Sequence, residues 1–229
     1  MLPTRGLYLA LLTIVAAATS AAQAPSVAFT TYDPGFGFSG IAPGPDGAVW
    51  FSGGSMIGRI TSAGIITKYA VSASAYSITP GSDGALWFTE PKAHQIGRIT
   101  ITGAITEYPI PCCGEPYSIV AGPDGALWFS EGVATKIGRI TTSGTVTEYP
   151  IPHVAAEIVA GPDGALWFTE GTNDPDACEG NDWIGRITTS GLVTEYLVAV
   201  CGGRLGPSIV AGPDGALWFD ENFYNYAIG

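Results

Sequence analysis

Gly122-Pro123-Asp124-Gly125-Ala126-Leu127-Trp128-Phe129 is the stretch that decides the fold, because near-copies of it begin at Gly44, Gly81, Gly161 and Gly212. Four of the five copies are followed by a second shared block, Ile-Gly-Arg-Ile-Thr, at Ile57, Ile96, Ile137 and Ile184. The tryptophans Trp50, Trp87, Trp128, Trp167 and Trp218 lie 37, 41, 39 and 51 residues apart, close to the roughly 40 to 45 residues of one four-stranded propeller blade. This repetition predicts an all-β fold over residues 25–229: a β-propeller with five repeats visible. The last repeat stops at Ile228-Gly229, within its second block, and is read as truncated.

The third copy shows the grammar of one blade. Tyr117 to Ala121 reads as strand a, and Gly122-Pro123-Asp124-Gly125 reverses the chain, since Asp-Gly tolerates the positive φ of tight hairpins. Ala126 to Ser130 is strand b, apolar on both faces as a strand between neighbouring blades must be. Lys136 to Thr141 is strand c, Thr142-Ser143-Gly144 a turn and Thr145 to Tyr149 strand d, after which Pro150 and Pro152 end the blade. Phe29-Thr30-Thr31-Tyr32 resembles a strand d with no blade before it, suited to closing a ring by pairing with the last blade. In this topology the a/b and c/d turns share one face of the disc. The variable b/c loops and d/a connections share the other, where binding on a rigid scaffold usually resides.

Composition narrows the function classes. With 32 Gly, 17 Pro and 13% charged residues, the chain reads as turn-rich and compact. Its net charge is -11, and four arginines sit inside the repeats, so there is no basic stripe for nucleic acid or an anionic membrane. Residues 1–24 read as a secretory signal peptide: Arg5 is the positive end, Gly6 to Ala18 the apolar stretch and Ala22-Gln23-Ala24 the cleavage site. The apolar run is short of the roughly 20 residues of a membrane span. The expectation is a secreted or periplasmic protein, free of the membrane after cleavage, with a small-molecule or peptide ligand.

Export makes disulfides available to Cys112, Cys113, Cys178 and Cys201. Cys178 and Cys201 both lie in the stretch that lengthens the fourth interval, and a disulfide between them is the favoured reading. The insertion Asn173 to Asp182 is dense in oxygen ligands of the kind Ca²⁺ or Mg²⁺ prefers, or is a solvated loop stapled by Cys178. Glu90, Glu131, Glu170 and Glu221, with Glu107, Glu148 and Glu195, form rings of recurring carboxylates. Residues recurring in every blade are read as serving blade folding, for instance by pairing with Arg59, Arg98, Arg139 or Arg186, rather than as catalysts. His94 and His153 are candidate general bases, because imidazole titrates near neutrality, or plain surface residues. They sit two blades apart. At the mouth of the central channel the topology gathers Tyr76, Glu115, Tyr117, His153 and Glu157 as candidate binding residues.

The words Trp-Phe-Thr-Glu, Ile-Gly-Arg-Ile-Thr, Thr-Glu-Tyr-Pro-Ile-Pro and Gly-Pro-Asp-Gly-Ala-Leu-Trp together resemble the virginiamycin B lyase family, from about Phe29 to Gly229. The resemblance implies a seven-bladed propeller that uses Mg²⁺ to linearise streptogramin B antibiotics, a carbon-oxygen lyase opening the ring ester by elimination. It also implies a catalytic signature, Pro-His at the head of strand a in the last two blades. Here those heads read Ser39-Gly40-Ile41, Tyr76-Ser77-Ile78, Glu115-Pro116-Tyr117, Ala156-Glu157-Ile158 and Gly206-Pro207-Ser208, none with histidine. Elimination needs a base beside the ester carbonyl and a cation or donor for the developing enolate. The expectation is therefore a lyase-like propeller lacking that activity as written. The alternative is an exported, non-catalytic scaffold that binds a peptide, glycan or protein.

Overall fold

A computed structural model describes residues 9–14, 27–111, 114–171, 181–199 and 203–223. β1 (Leu9–Ile14) pairs antiparallel with β2 (Val27–Tyr32). The first blade is β3 (Gly40–Pro43), β4 (Val49–Gly53), β5 (Met56–Ile60) and β6 (Ile66–Ala70). The second is β7 (Ile78–Pro80), β8 (Leu86–Glu90), β9 (Gln95–Ile99) and β10 (Ile105–Pro109). The third is β11 (Pro116–Ala121), β12 (Leu127–Glu131), β13 (Lys136–Ile140) and β14 (Val146–Pro150). The fourth is β15 (Val154–Ala160), β16 (Leu166–Gly171), β17 (Asn181–Ile187) and β18 (Val193–Ala199). Each is an antiparallel sheet in a-b-c-d order, and β19 (Gly203–Ala211) with β20 (Leu217–Phe223) begins a fifth. The protein is a β-propeller, as the repeats predict.

The core lies between blades rather than within them. Trp50 and Ile57 pack on Ile78, Leu86 and Phe88. Trp87 and Ile96 repeat the contact on Ile119, Leu127 and Phe129, and Trp128 and Ile137 repeat it on Ile158, Leu166 and Phe168. Strand b is accordingly buried along its whole length in the second and third blades, which explains its loss of in/out alternation. Gly138, opposite Phe129 in register, lies beneath that ring, so a Cβ there collides with it.

The Gly-Pro-Asp-Gly turn does more than reverse the chain. Its aspartate accepts a hydrogen bond from the indole Nε1 four residues on, at 2.9–3.1 Å for Asp46, Asp83, Asp124 and Asp163. The same carboxylates accept the Nε of Arg59, Arg98, Arg139 and Arg186 at 2.6–2.7 Å. Burial opposes their ionisation, yet these bonds prevail and hold all four below the ordinary carboxylate range. The expected pairing of these arginines with the repeated glutamates is thus corrected. Arginine sits opposite tryptophan in register, at the turn end of strand b, while the glutamate sits at the other end.

β2 occupies the place of a strand d. Tyr32 lies on Gly64 of the first blade's c/d turn as Tyr69 lies on Gly103 and Tyr108 on Gly144. Among the described residues β2 pairs with β1, which comes from the apolar stretch of the expected leader. The described residues of the fifth unit include no strand c to receive it. No helix among the described residues is long and apolar enough to cross a membrane.

Candidate functional site

The variable segments gather on one face, as the topology predicts. The d/a connections hydrogen-bond to b/c loops: Ala75 N–H donates to Gly54 O (2.8 Å), Ile110 N–H to His94 O (3.0 Å) and Ile151 N–H to Thr135 O (3.0 Å). Toward the axis this face opens into a cavity of about 470 Å³, walled by Tyr76, Tyr117, Glu157, Ser77, Ser118 and the head of β3.

A relay between blades builds the wall. Strand a carries an irregularity in register in the third and fourth blades, around Ser118 and Glu157, and one side chain per blade reaches the next. Ser77 Oγ accepts the N–H of Ile119 (3.3 Å), Ser118 Oγ that of Ile158 (3.4 Å) and Glu157 Oε2 that of Ile209 (3.3 Å). Hydroxyls on strand b return the favour to the next blade's carbonyls: Ser52 Oγ donates to Tyr76 O (2.6 Å) and Thr89 Oγ1 to Tyr117 O (3.0 Å). Glu157 therefore does with a carboxylate what serine does elsewhere, leaving a charge where the neighbouring blades have none. Burial raises the pKa of its carboxyl, the Ile209 N–H opposes the rise and nearby Asp220 adds to it.

Tyr76 and Tyr117 form a pair across the second and third blades. Their hydroxyls are 2.6 Å apart and their ring centroids 4.4 Å, with the planes at 34°. The Tyr117 hydrogen bond, burial and the charge of Glu157 push the Tyr76 phenol up to about 12, so it stays protonated near neutrality.

The structure thus brings Tyr76, Tyr117 and Glu157 together. Glu115 stands outside the cavity wall and takes the ammonium of Lys92 at 2.9 and 3.1 Å. His153 is also outside it, stacked on Trp183 at 5.4 Å between centroids. His94 caps a short 3₁₀ turn with φ 53° and holds Gly114 O through Nδ1 at 2.8 Å. Glu90, Glu131 and Glu170 are buried at the ends of their strands b. The Cys178–Cys201 pairing, Cys112, Cys113 and residues 173–180 of the insertion lie outside the described residues. Ser77 and Ser118, read in the sequence as strand heads and not as site candidates, carried a signal: Ser-Ile recurs at the head of strand a at Ser77, Ser118 and Ser208.

The magnesium that the resemblance implies finds no ligand set among the described residues of this face. Among the described residues no three His, Cys, Asp or Glu side chains are gathered to hold a metal, and Oε2 of Glu157 is already engaged by a backbone N–H. These residues do not fit the ion. What they offer is an aromatic pair, hydroxyls and one carboxylate.

A four-stranded-blade propeller with an axial cavity on its variable face is the class these features define. Residues 26–177 match the virginiamycin B lyase family, and the chain belongs to that family. Among solved structures, a streptogramin B lyase is 40% identical with a TM-score of 0.73, over 84% of this chain and 65% of that one. A catalytically inactive histidine-to-alanine variant of virginiamycin B lyase from Staphylococcus aureus, solved with quinupristin, is 39% identical with a TM-score of 0.74, over 86% and 68%. The selenomethionine-substituted enzyme from Staphylococcus aureus is 38% identical with a TM-score of 0.70, over 84% and 66%. The chain spans about two thirds of the length of these relatives. No curated protein matches it.

Proposed function

We propose that this chain is an exported ligand-binding propeller of the streptogramin B lyase type. It takes a cyclic depsipeptide of that class, or a peptide of similar size, against Tyr76, Tyr117 and Glu157, and does not itself open the ring. One observation carries the reading: the nearest match to the family signature, Glu115-Pro116-Tyr117 in the third blade rather than the last, has tyrosine in place of histidine, and this tyrosine is bonded to a phenol that stays protonated near neutrality. Elimination requires a base free to take the proton beside the ester carbonyl. Glu157 is the one carboxylate on the wall, and it is tied to the next blade. The test is to incubate the purified chain with a streptogramin B and Mg²⁺, following binding by calorimetry and linear product by mass. Binding without product is expected; a Mg²⁺-dependent linear product overturns it.

The second reading, in which the chain performs the elimination with Mg²⁺, draws support from the 40% identity to a streptogramin B lyase. It expects linear product in the same experiment, and loss of that product when the metal is chelated.

A further inference from the structure

We propose that the cavity of Tyr76, Tyr117 and Glu157 recognises a cationic amine, a tertiary or quaternary ammonium group on the ligand. The inference rests on reading that cavity as the ligand site. Among the described residues its wall contains one acid, Glu157, and no lysine, arginine or histidine. Lys92 is paired with Glu115, which stands outside the wall. A neutral ligand entering here strips water from the Glu157 carboxylate without replacing it, whereas a cation restores what burial removes. Oε2 of Glu157 accepts the Ile209 N–H, and an ionised carboxylate has room for several further donors. Asp220, close enough to raise the pKa of Glu157, adds negative potential from the fifth unit.

The rings supply the second half of the recognition. Tyr76 and Tyr117 are 36% and 38% exposed, and the bond between their hydroxyls holds them side by side before any ligand arrives. Aromatic faces attract cations through the ring quadrupole, and a pre-formed pair loses little freedom on binding. A hard divalent ion prefers six or more oxygens, and no cluster of three metal-binding side chains is found among the described residues. A soft, bulky ammonium group suits rings and one carboxylate better.

The experiment compares benzyltrimethylammonium with its neutral carbon isostere, neopentylbenzene, binding to the full chain by ligand-observed NMR. The cation is expected to bind about tenfold tighter or more and to weaken as salt rises from about 0.05 to about 0.5 M, while the isostere is indifferent to salt. Glu157→Gln, which keeps an oxygen for Ile209, is expected to remove most of the preference. Equal affinities, a salt-independent preference or an unchanged preference in the variant each overturn the inference. The first two arms use the unaltered chain and stand even if the variant misfolds. A parallel titration with a streptogramin B separates the two claims. Depsipeptide binding with no preference for the cation sinks this inference alone, and cation binding without depsipeptide binding sinks the ligand class proposed above.

Discussion

In the second blade, Glu90 accepts the N–H of Ala73 (3.0 Å) and the amide of Gln95 (2.8 Å), while Glu107 accepts the N–H of Ser72 (3.0 Å). In the fourth blade, the equivalent Glu170 has no hydrogen-bond donor at either oxygen, and Glu195 lacks one at Oε1. Three replacements account for the contrast. Pro152 stands where Ser72 does and has no N–H, Trp183 replaces Gln95, and His153, in place of Ala73, is drawn onto the Trp183 ring. The two carboxyls of the fourth blade are left facing each other. Burial first, then the charge of Glu195, pushes Glu170 up to about 8. The third blade is intermediate: burial and Glu148 push Glu131 up to about 7, but Lys136 reaches Glu148 at 2.6 Å and opposes the rise. The repeated glutamate is a clamp for the incoming d/a connection. Two donors satisfy it in the second blade, where burial still raises its pKa, and in the fourth it faces a second carboxyl instead.

Breaking the satisfied clamp has the largest expected effect. Glu90→Ala removes the acceptor of the half-buried Ala73 N–H and one of the two acceptors of the Gln95 amide, which keeps Ser72 Oγ, and is expected to cost about 2 kcal/mol in urea unfolding at pH 7. Glu170→Gln acts in the opposite direction. It removes the buried charge, so it is expected to stabilise by roughly 1–2 kcal/mol at pH 9 and to change little at pH 5. If both substitutions cost the same at pH 9, the contrast between the blades is lost.

The unaltered protein carries the same signature in its pH profile. Glu131 and Glu170 bind protons more tightly folded than unfolded, so their contribution is most favourable below about pH 4.5 and is lost as pH rises toward about 8. Melting temperature is expected to fall across that window, and less steeply in Glu170→Gln. Smaller effects come from the connections. Ser72→Pro deletes the N–H that Glu107 accepts and is expected to cost about 1 kcal/mol by thermal melting. The converse change, Pro152→Ser, is expected to gain only about 0.5 kcal/mol, because the restored N–H is offset by a more flexible unfolded chain.

The blades were legible because their information is local. Turn chemistry, the double-sided apolar strand b and the proline stops all lie within one repeat, so strands, faces and the variable side followed from the letters. The arginine partner was misread because both candidates are acids of the same blade. Only register distinguishes them: Arg139 stands opposite Trp128, away from Glu131, which stands opposite Lys136. Of the five candidate site residues, Tyr76, Tyr117 and Glu157 share the cavity because each heads a strand a. Glu115 and His153 lie in longer connections whose path depends on what they pack against, Lys92 and Trp183. The part played by Glu157 depends on the stagger between adjacent blades, which no single repeat encodes.

The aspartate-centred turns carry one more consequence. Each joins its arginine within 13 to 23 positions along the chain, so a unit possesses its own joinery before its neighbour has left the ribosome. Ancestry by tandem duplication is inexpensive for such a body, and divergence is concentrated in the segments that join one module to the next.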